Sequence, residues 1–317
     1  MAGGFNYAKY LSIDSVAAAV IFAILYVPLA CVFTVKLFRG FTMTRLLLTL
    51  FCFLRVGAFS LRGVLSGSSK AGENETLFIV YSVLYSAGFY WVLYSAYSLV
   101  LDRGDINGNI PNLGVISRVS RNRHLIHIVL VVAVGLGVKA AIDATSSNEK
   151  TRNESQGDRR ISVIIYLVVA VLLAIQNVLL VMVEFQSPTD HRIPIASSMS
   201  LESEQRTFGA RHASRLLAVI TVLILIREVF FIATSSSFST QNKEVLWYPL
   251  SASTEYIALA VFSIQGLLPT RAQLKFAEEA KKYGSTGVPL ATQQHTSSPY
   301  TVGSAYSVQY PYSTSHA

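Results

Sequence analysis

The chain has 317 residues, of which 52% are hydrophobic and only 14% are charged. Soluble domains carry about 25% charged residues, so this composition indicates a membrane protein. The net charge of +8 comes from Lys and Arg spread between apolar blocks. That distribution favours basic loops beside an anionic membrane surface over a nucleic-acid site. Cys31 and Cys52 both lie in apolar runs, which excludes a disulfide framework and a Cys-based metal site.

Seven apolar stretches are each long enough to cross a bilayer of about 30 Å, which takes about 20 residues of helix. We number them as spans one to seven, at residues 13–37, 43–66, 76–101, 124–144, 161–185, 214–236 and 247–268. They predict an all-α polytopic membrane protein, a seven-transmembrane-helix bundle over 13–268 that follows a short segment, 1–12. We interpret the first run as a membrane helix, with a cleaved signal peptide as the alternative.

The loops predict the orientation of the bundle, because Lys and Arg are retained on the cytoplasmic side. If the N-terminus is outside, the inner segments carry fifteen Lys and Arg residues and the outer segments carry seven. The sequence therefore predicts an extracellular or lumenal N-terminus and a cytoplasmic C-terminus, in the plasma membrane or an endomembrane. The two N-glycosylation sequons begin at Asn74 and Asn153, and both fall in predicted outer loops.

The segment after span seven has two parts. Residues 269–283 place charges on one side and apolar residues on the other, which predicts an amphipathic juxtamembrane helix on the inner surface. Residues 284–317 are rich in Ser, Thr, Tyr, Gln, Gly and Pro, which predicts a disordered cytoplasmic tail.

Ionisable residues inside spans cost a few kcal/mol each and usually face the bundle interior. Arg55 lies near the middle of span two and needs a partner, whereas Arg62 lies near its outer end and is expected to snorkel. Arg227 and Glu228 interrupt span six in the stretch LILIREVFF. Glu255 in span seven is the predicted partner of Arg55 or Arg227.

The spacing of further polar residues places them on common helix faces. Ser214, Thr221, Glu228 and Ser235 recur every seven residues and form one narrow stripe. Span seven has a similar face, made of Ser251, Glu255, Ala258, Phe262 and Gln265. Lys139 and Asp143, four residues apart in span four, predict a local ion pair.

Span three is rich in hydroxyl groups, Tyr85 and Tyr94 among them, and span five contains Gln176 and Asn177. These side chains predict a polar, aromatic cavity between the helices. The alternative interpretation of the buried charges and tyrosines is structural, since interhelical hydrogen bonds also hold membrane bundles together.

Several chemistries are excluded by the residues present. The six histidines include His124 and His127 at a membrane edge, without a third ligand for a metal. The sequence has no Gly-rich phosphate loop, no Ser-His-Asp order and no zinc-protease motif. We therefore predict neither a cofactor nor a metal, and any enzyme here would have to use intramembrane carboxylates.

Three stretches carry a resemblance to known proteins: FCFLRVGAFSLRGVL in span two, LILIREVFF in span six and STEYIALAVFSIQGLLPT in span seven. They resemble the fungal seven-transmembrane proteins around the RTA-like lipid-translocating exporters and the tobamovirus-multiplication-protein-like group. By this resemblance Arg55, Arg227 and Glu255 are the matching positions. Span three lacks the Gly-Gly-Asp element of the RTA-like proteins, and span seven lacks their second acidic residue.

These observations lead to three hypotheses of function. The first is a non-enzymatic membrane protein that binds or translocates a lipid or lipophilic small molecule, with Arg55, Arg227, Glu228 and Glu255 in a polar network beneath the aromatic cavity. The second is a receptor-like signalling or scaffold protein with cytoplasmic protein partners. The third is a small cyclase-like membrane enzyme that uses Glu228 or Glu255 as a proton donor.

Overall fold

The computed structural model describes residues 6–10, 13–107, 122–146, 148–186, 207–235 and 238–284. These residues form helices and connecting turns, and no strand occurs among them. Seven helices are long and apolar enough to cross a membrane, which confirms the predicted architecture of a multi-pass membrane protein. They are α1 (Val16–Arg39), α2 (Met43–Gly67), α3 (Glu75–Asn107), α4 (Arg123–Asp143), α5 (Glu149–Gln186), α6 (Ala213–Ala233) and α7 (Glu244–Phe262).

Capping side chains explain where several helices begin. Ser15 accepts a hydrogen bond from the backbone N–H of Ala18 at the start of α1, and Thr42 does the same for α2. Asn122 caps α4 by accepting from two backbone N–H groups. Such caps satisfy N–H groups that have no partner inside the helix. The predicted spans one to four and span six therefore begin within one helical turn of the observed helices.

Three predicted boundaries were wrong. Helix α3 continues to Asn107, beyond the predicted end of span three at residue 101. Helix α5 begins at Glu149, about three turns before the predicted start of span five, because the polar segment ahead of the apolar run is itself helical. Helix α7 ends at Phe262, before the predicted end of span seven. Gly266 has a φ of 85°, a left-handed conformation that only glycine adopts easily, so the helix does not continue through it.

The helices pack mainly against their neighbours in sequence, and α3 lies at the centre of the bundle. Helix α3 contacts α2, α4, α5 and α6, while α7 packs on α6 and touches α1. Large apolar side chains remain exposed on the outer faces, for example Ile24 on α1 and Val168 on α5. A bilayer would cover such faces, since hydrocarbon solvates aliphatic side chains.

Cations from α1 and α3 fix the carbonyl end of α7. The Arg103 Nη2 atom donates hydrogen bonds to the carbonyl oxygens of Gly266, at 2.6 Å, and Leu267, at 2.7 Å. Lys36 donates to the carbonyl oxygen of Ser263. These bonds tie Ser263 and the segment that follows α7 to α1 and α3.

The chain divides into two compact units, Met1–Ala277 and Glu278–Ala317. Helix α8 covers Arg271–Gly284, where the sequence predicts the juxtamembrane helix. Residues 285–317 of the predicted tail lie outside the described residues. In the predicted N-terminal segment the structure describes residues 6–10, which include a short helix, Tyr7–Tyr10.

Candidate functional site

Four ionisable side chains meet in the interior of the bundle. Arg55 comes from α2, Arg227 and Glu228 from α6, and Glu255 from α7, and each is at most 5% exposed. The Arg55 Nη2 atom donates to Glu255 Oε1 at 2.8 Å, and Arg55 Nε lies 2.7 Å from Glu255 Oε2. Arg227 Nε donates to Glu255 Oε1 at 2.5 Å, and Arg227 Nη1 donates to Glu228. We call these four residues the charge network.

The charge network is balanced, because its two guanidinium groups face two carboxylates. Placing an unpaired charge in a low-dielectric interior costs several kcal/mol, and mutual pairing offsets that cost. The sequence predicts either Arg55 or Arg227 as the partner of Glu255, and in the structure Glu255 contacts both guanidinium groups. Glu228 contacts Arg227, its neighbour in sequence.

Aromatic rings cover the guanidinium groups. The Cζ atom of Arg55 lies 4.2 Å from the ring centroid of Tyr85, and the Cζ atom of Arg227 lies 3.6 Å from that of Phe89 and 4.4 Å from that of Phe231. A cation over an aromatic face gains about 2 kcal/mol or more where water is absent. The rings therefore stabilise cations that water would otherwise solvate.

Gly88 on α3 lets the Arg55 side chain lie close to the helix backbone. The Arg55 Nη1 atom donates to the carbonyl oxygen of Tyr85 at 2.9 Å. A Cβ atom added at Gly88 would lie 3.3 Å from Arg55 Cζ and Nη1. The sequence analysis missed this residue, since nothing in the span-three sequence indicates which neighbour faces Gly88.

The predicted polar stripe of span six faces α5. Ser214, Thr221 and Glu228 are all buried. The Asn177 Nδ2 atom donates to Thr221 Oγ1 at 3.4 Å, and Ser214 donates to Glu184. Interhelical hydrogen bonds along this stripe fix the rotation of α6, which directs Glu228 inward.

A π-helical turn, Tyr248–Ala252, precedes Glu255 in α7. Pro249 lies in this turn and has no N–H to donate, which favours a local change of helix type. Tyr85 Oη and Ser251 Oγ are 2.5 Å apart and form a hydrogen bond. Wide turns of this kind are rare in helices and occur frequently at functional sites. The predicted span-seven face is buried through Phe262, but Gln265 lies beyond the helix end and is exposed.

A partly open cavity of about 140 Å³ lies next to the charge network. Its walls come from the beginnings of α3, α5 and α7 and the ends of α4 and α6, so it lies toward one end of the bundle. Arg227 and Glu228 reach its wall. Its aromatic lining residues are Phe78, Tyr81, Tyr85, Phe89, Tyr166, Phe231 and Trp247.

Two predicted site residues have different positions relative to the cavity. Tyr85 lines it and covers Arg55. Tyr94 is not among the lining residues, and its ring instead lies 5.9 Å from that of Tyr90 and 5.3 Å from that of His127. Tyr94 follows Tyr85 by nine residues, or about 2.5 helical turns, so the two side chains lie on opposite faces of α3 and Tyr94 lies beside α4.

Arg62 does not snorkel, contrary to the sequence prediction. Its side chain is fully buried, and its Nη1 atom donates to Tyr81 Oη at 2.7 Å. Its Cζ atom lies 3.9 Å from the ring centroid of Trp247, and its Nη2 atom lies 3.7 Å from Glu244 Oε1. Glu244 also accepts from the backbone N–H of Ser15, so it ties α7 to the start of α1. The prediction was wrong because Glu244 and Trp247, which come from α7 far away in sequence, join Tyr81 of α3 around the guanidinium group.

Lys139 pairs with the predicted partner, Asp143, and also with a second carboxylate, Asp158. Lys139 Nζ lies 3.6 Å from Asp143 Oδ2 and 2.6 Å from Asp158 Oδ2. The closer partner was missed because Asp158 lies in the helical extension of α5. The Lys139 side chain is 58% exposed, so these pairs contribute little stability.

The sequons have different surroundings. Asn74 is exposed just before α3 and accepts a hydrogen bond from the backbone N–H of Leu77. Asn153 is exposed but lies inside α5, so its predicted position in a loop was wrong. The early start of α5 accounts for the difference.

Across the described residues no group of three or more His, Cys, Asp or Glu side chains is arranged to hold a metal ion. Comparison with models of protein families, with curated proteins and with solved structures gives no match for this chain.

Proposed function

We propose that this chain is a non-enzymatic seven-helix membrane protein that binds a lipophilic small molecule, or part of a lipid, in the cavity beside the charge network. The single observation that carries the proposal is an aromatic cavity whose wall includes Arg227 and Glu228 of the balanced charge network. Apolar walls with a few fixed polar groups are typical of small-molecule sites. An ionisable cluster inside a membrane bundle is costly and often marks a ligand pathway.

The proposal includes the predicted orientation, with the N-terminus outside and the C-terminus in the cytoplasm. The cavity lies toward the end of the bundle where α3, α5 and α7 begin, so it would be in the outer half of the membrane. Movement of the ligand across the bilayer is an extension of this proposal and fits the resemblance to the lipid-translocating exporters. It would require the charge network to change its pairing, since Arg227 and Glu228 form part of the cavity wall.

Ligand binding tests the proposal through a cavity-filling substitution. Ala141 lines the cavity, so Ala141→Phe would occupy part of its volume. Ala17 is exposed on α1, so Ala17→Phe is the matched control. The purified chain is screened by thermal unfolding in detergent with a panel of small lipophiles. We expect at least one compound to raise the Tm of the wild type and of Ala17→Phe but not of Ala141→Phe.

Two results would contradict ligand binding in the cavity. If compounds raise the Tm of Ala141→Phe as much as that of the wild type, they bind elsewhere and the cavity is not the site. If no compound small enough for the cavity changes any Tm, the binding function is refuted.

The orientation has its own test, in which an antibody tag placed after Ala317 must be accessible only after the cells are permeabilised.

A further inference from the structure

Two polar side chains in the cavity wall have hydrogen-bonding groups without a partner in the described part of the chain. Gln241 is fully buried, and neither its amide oxygen nor its amide nitrogen makes a hydrogen bond. The hydroxyl of Tyr166 is also buried and unpaired. Both residues line the cavity. Buried polar groups are nearly always paired in folded proteins, so unpaired groups on residues of a cavity wall indicate a missing polar partner.

The charges around the cavity indicate that this partner is neutral. Arg227 is the cation of the charge network at the wall, and it is already matched by Glu228 and Glu255. The other cation in the wall, Arg159, is engaged in an interaction of its own within the protein. A charged ligand would therefore place a further charge beside a network that is already balanced, which is costly.

The volume of the cavity limits the size of the buried group. A dry cavity of about 150 Å³ lined by apolar side chains holds one benzene molecule. The cavity here has a volume of about 140 Å³ and is partly open, so it accommodates one six-membered ring. Aromatic walls favour such a flat group, because rings stack and pack edge to face.

A hydroxyl is the smallest group that both donates and accepts a hydrogen bond. It would donate to the amide oxygen of Gln241 and accept from the Gln241 amide nitrogen or the Tyr166 hydroxyl.

We propose that the cavity binds the hydroxyl-bearing ring of a neutral ring alcohol or phenol, with Gln241 and Tyr166 as the residues that recognise the hydroxyl. This proposal rests on the proposed function and specifies its ligand class. The same chemistry occurs in a soluble phenol and in the hydroxylated ring of a sterol. A sterol would place only that ring in the cavity and leave the rest of its skeleton in the bilayer.

Calorimetric titration of the full-length chain in phosphatidylcholine nanodiscs tests the proposal. The probes are phenol, toluene, which lacks the hydroxyl, and benzoate, which adds a charge. We expect phenol to bind about tenfold more tightly than toluene, the contribution of one or two neutral hydrogen bonds. Benzoate should bind more weakly than either.

Gln241→Leu removes the amide at nearly constant volume. We expect it to lower the affinity for phenol about tenfold and to leave the affinity for toluene unchanged. The ligand-free variant should unfold at the same or a higher temperature than the wild type, because an unpaired buried amide is removed. Gln156 is exposed on α5, so Gln156→Leu is the matched control and should leave both affinities unchanged.

The outcomes separate the two proposals. If neither phenol nor toluene binds the wild type, the proposed function fails for ligands of this size. If toluene binds as well as phenol, or benzoate binds best, the ligand class is wrong while the binding function stands. Equal phenol affinity in Gln241→Leu and the wild type would also overturn the assignment. Nanodiscs with added cholesterol distinguish the two sources of the hydroxylated ring. If cholesterol competes with phenol, the ligand is a sterol, and if it does not compete, the ligand is a soluble phenol.

Discussion

Replacing Glu255 by Gln removes the carboxylate that contacts both Arg55 and Arg227. The substitution keeps the size of the side chain but changes the net charge of the four-residue network from zero to plus one. One carboxylate, Glu228, then remains for two guanidinium groups, and within the described part of the chain its ion-pair partner is Arg227. Arg55 is fully buried and loses its acidic partner. Breaking a buried ion pair by removing one partner costs about 3–5 kcal/mol, so we expect a destabilisation of that size.

The free energy of unfolding is measured by denaturant titration in mixed micelles, with Glu73→Gln as the control because Glu73 is exposed between α2 and α3. The double variant Arg55→Met with Glu255→Gln restores a balanced pair of Arg227 and Glu228. We expect it to be more stable than Glu255→Gln alone, so the two substitutions are strongly non-additive. A change below about 0.5 kcal/mol in Glu255→Gln, or simple additivity in the double variant, would refute the reasoning.

Three further predictions concern two closely packed glycines and one buried hydrogen bond. We expect Gly88→Val to lower stability by about 1–3 kcal/mol because it displaces the Arg55 guanidinium, whereas Gly135→Val, with open space around it, should not. A Cβ at Gly209 would lie 2.3 Å from the backbone oxygen of Gln265, so Gly209→Ala should lower the Tm in thermal unfolding, and a Tm like that of wild type would contradict this packing. Tyr81→Phe should cost about 1–3 kcal/mol in denaturant titration because Arg62 loses its acceptor, and an unchanged stability would show that Arg62 is bonded otherwise.

The sequence predicted the spans and the residue types of the charge network well. The spans can be located from sequence because a helix that crosses the bilayer must be apolar and about 20 residues long. The cost of a charge in hydrocarbon also singles out Arg55, Arg227, Glu228 and Glu255 without any knowledge of the fold. That these four lie in one cluster depends on how α2, α6 and α7 are rotated, which the structure supplies.

The residues that sequence analysis missed or misplaced depend on contacts between distant helices. Arg62 is buried because Trp247 and Tyr81 surround it, and Gly88 matters only because Arg55 lies against it. Gln241 stands in a polar loop sequence that gives no signal of burial. Tyr94 was grouped with Tyr85 by residue type, but helix geometry directs the two toward different neighbours.

Fluorescence from Trp247 tests the central claim most directly, because this residue lines the cavity and the chain has only two tryptophans. Trp91→Phe leaves Trp247 as the single reporter. Titration of this variant with phenol in nanodiscs should give a saturable change in Trp247 emission, and adding Ala141→Phe should abolish it. A change that never saturates, or one that persists in the Ala141→Phe background, would contradict a ligand site in the cavity beside the charge network.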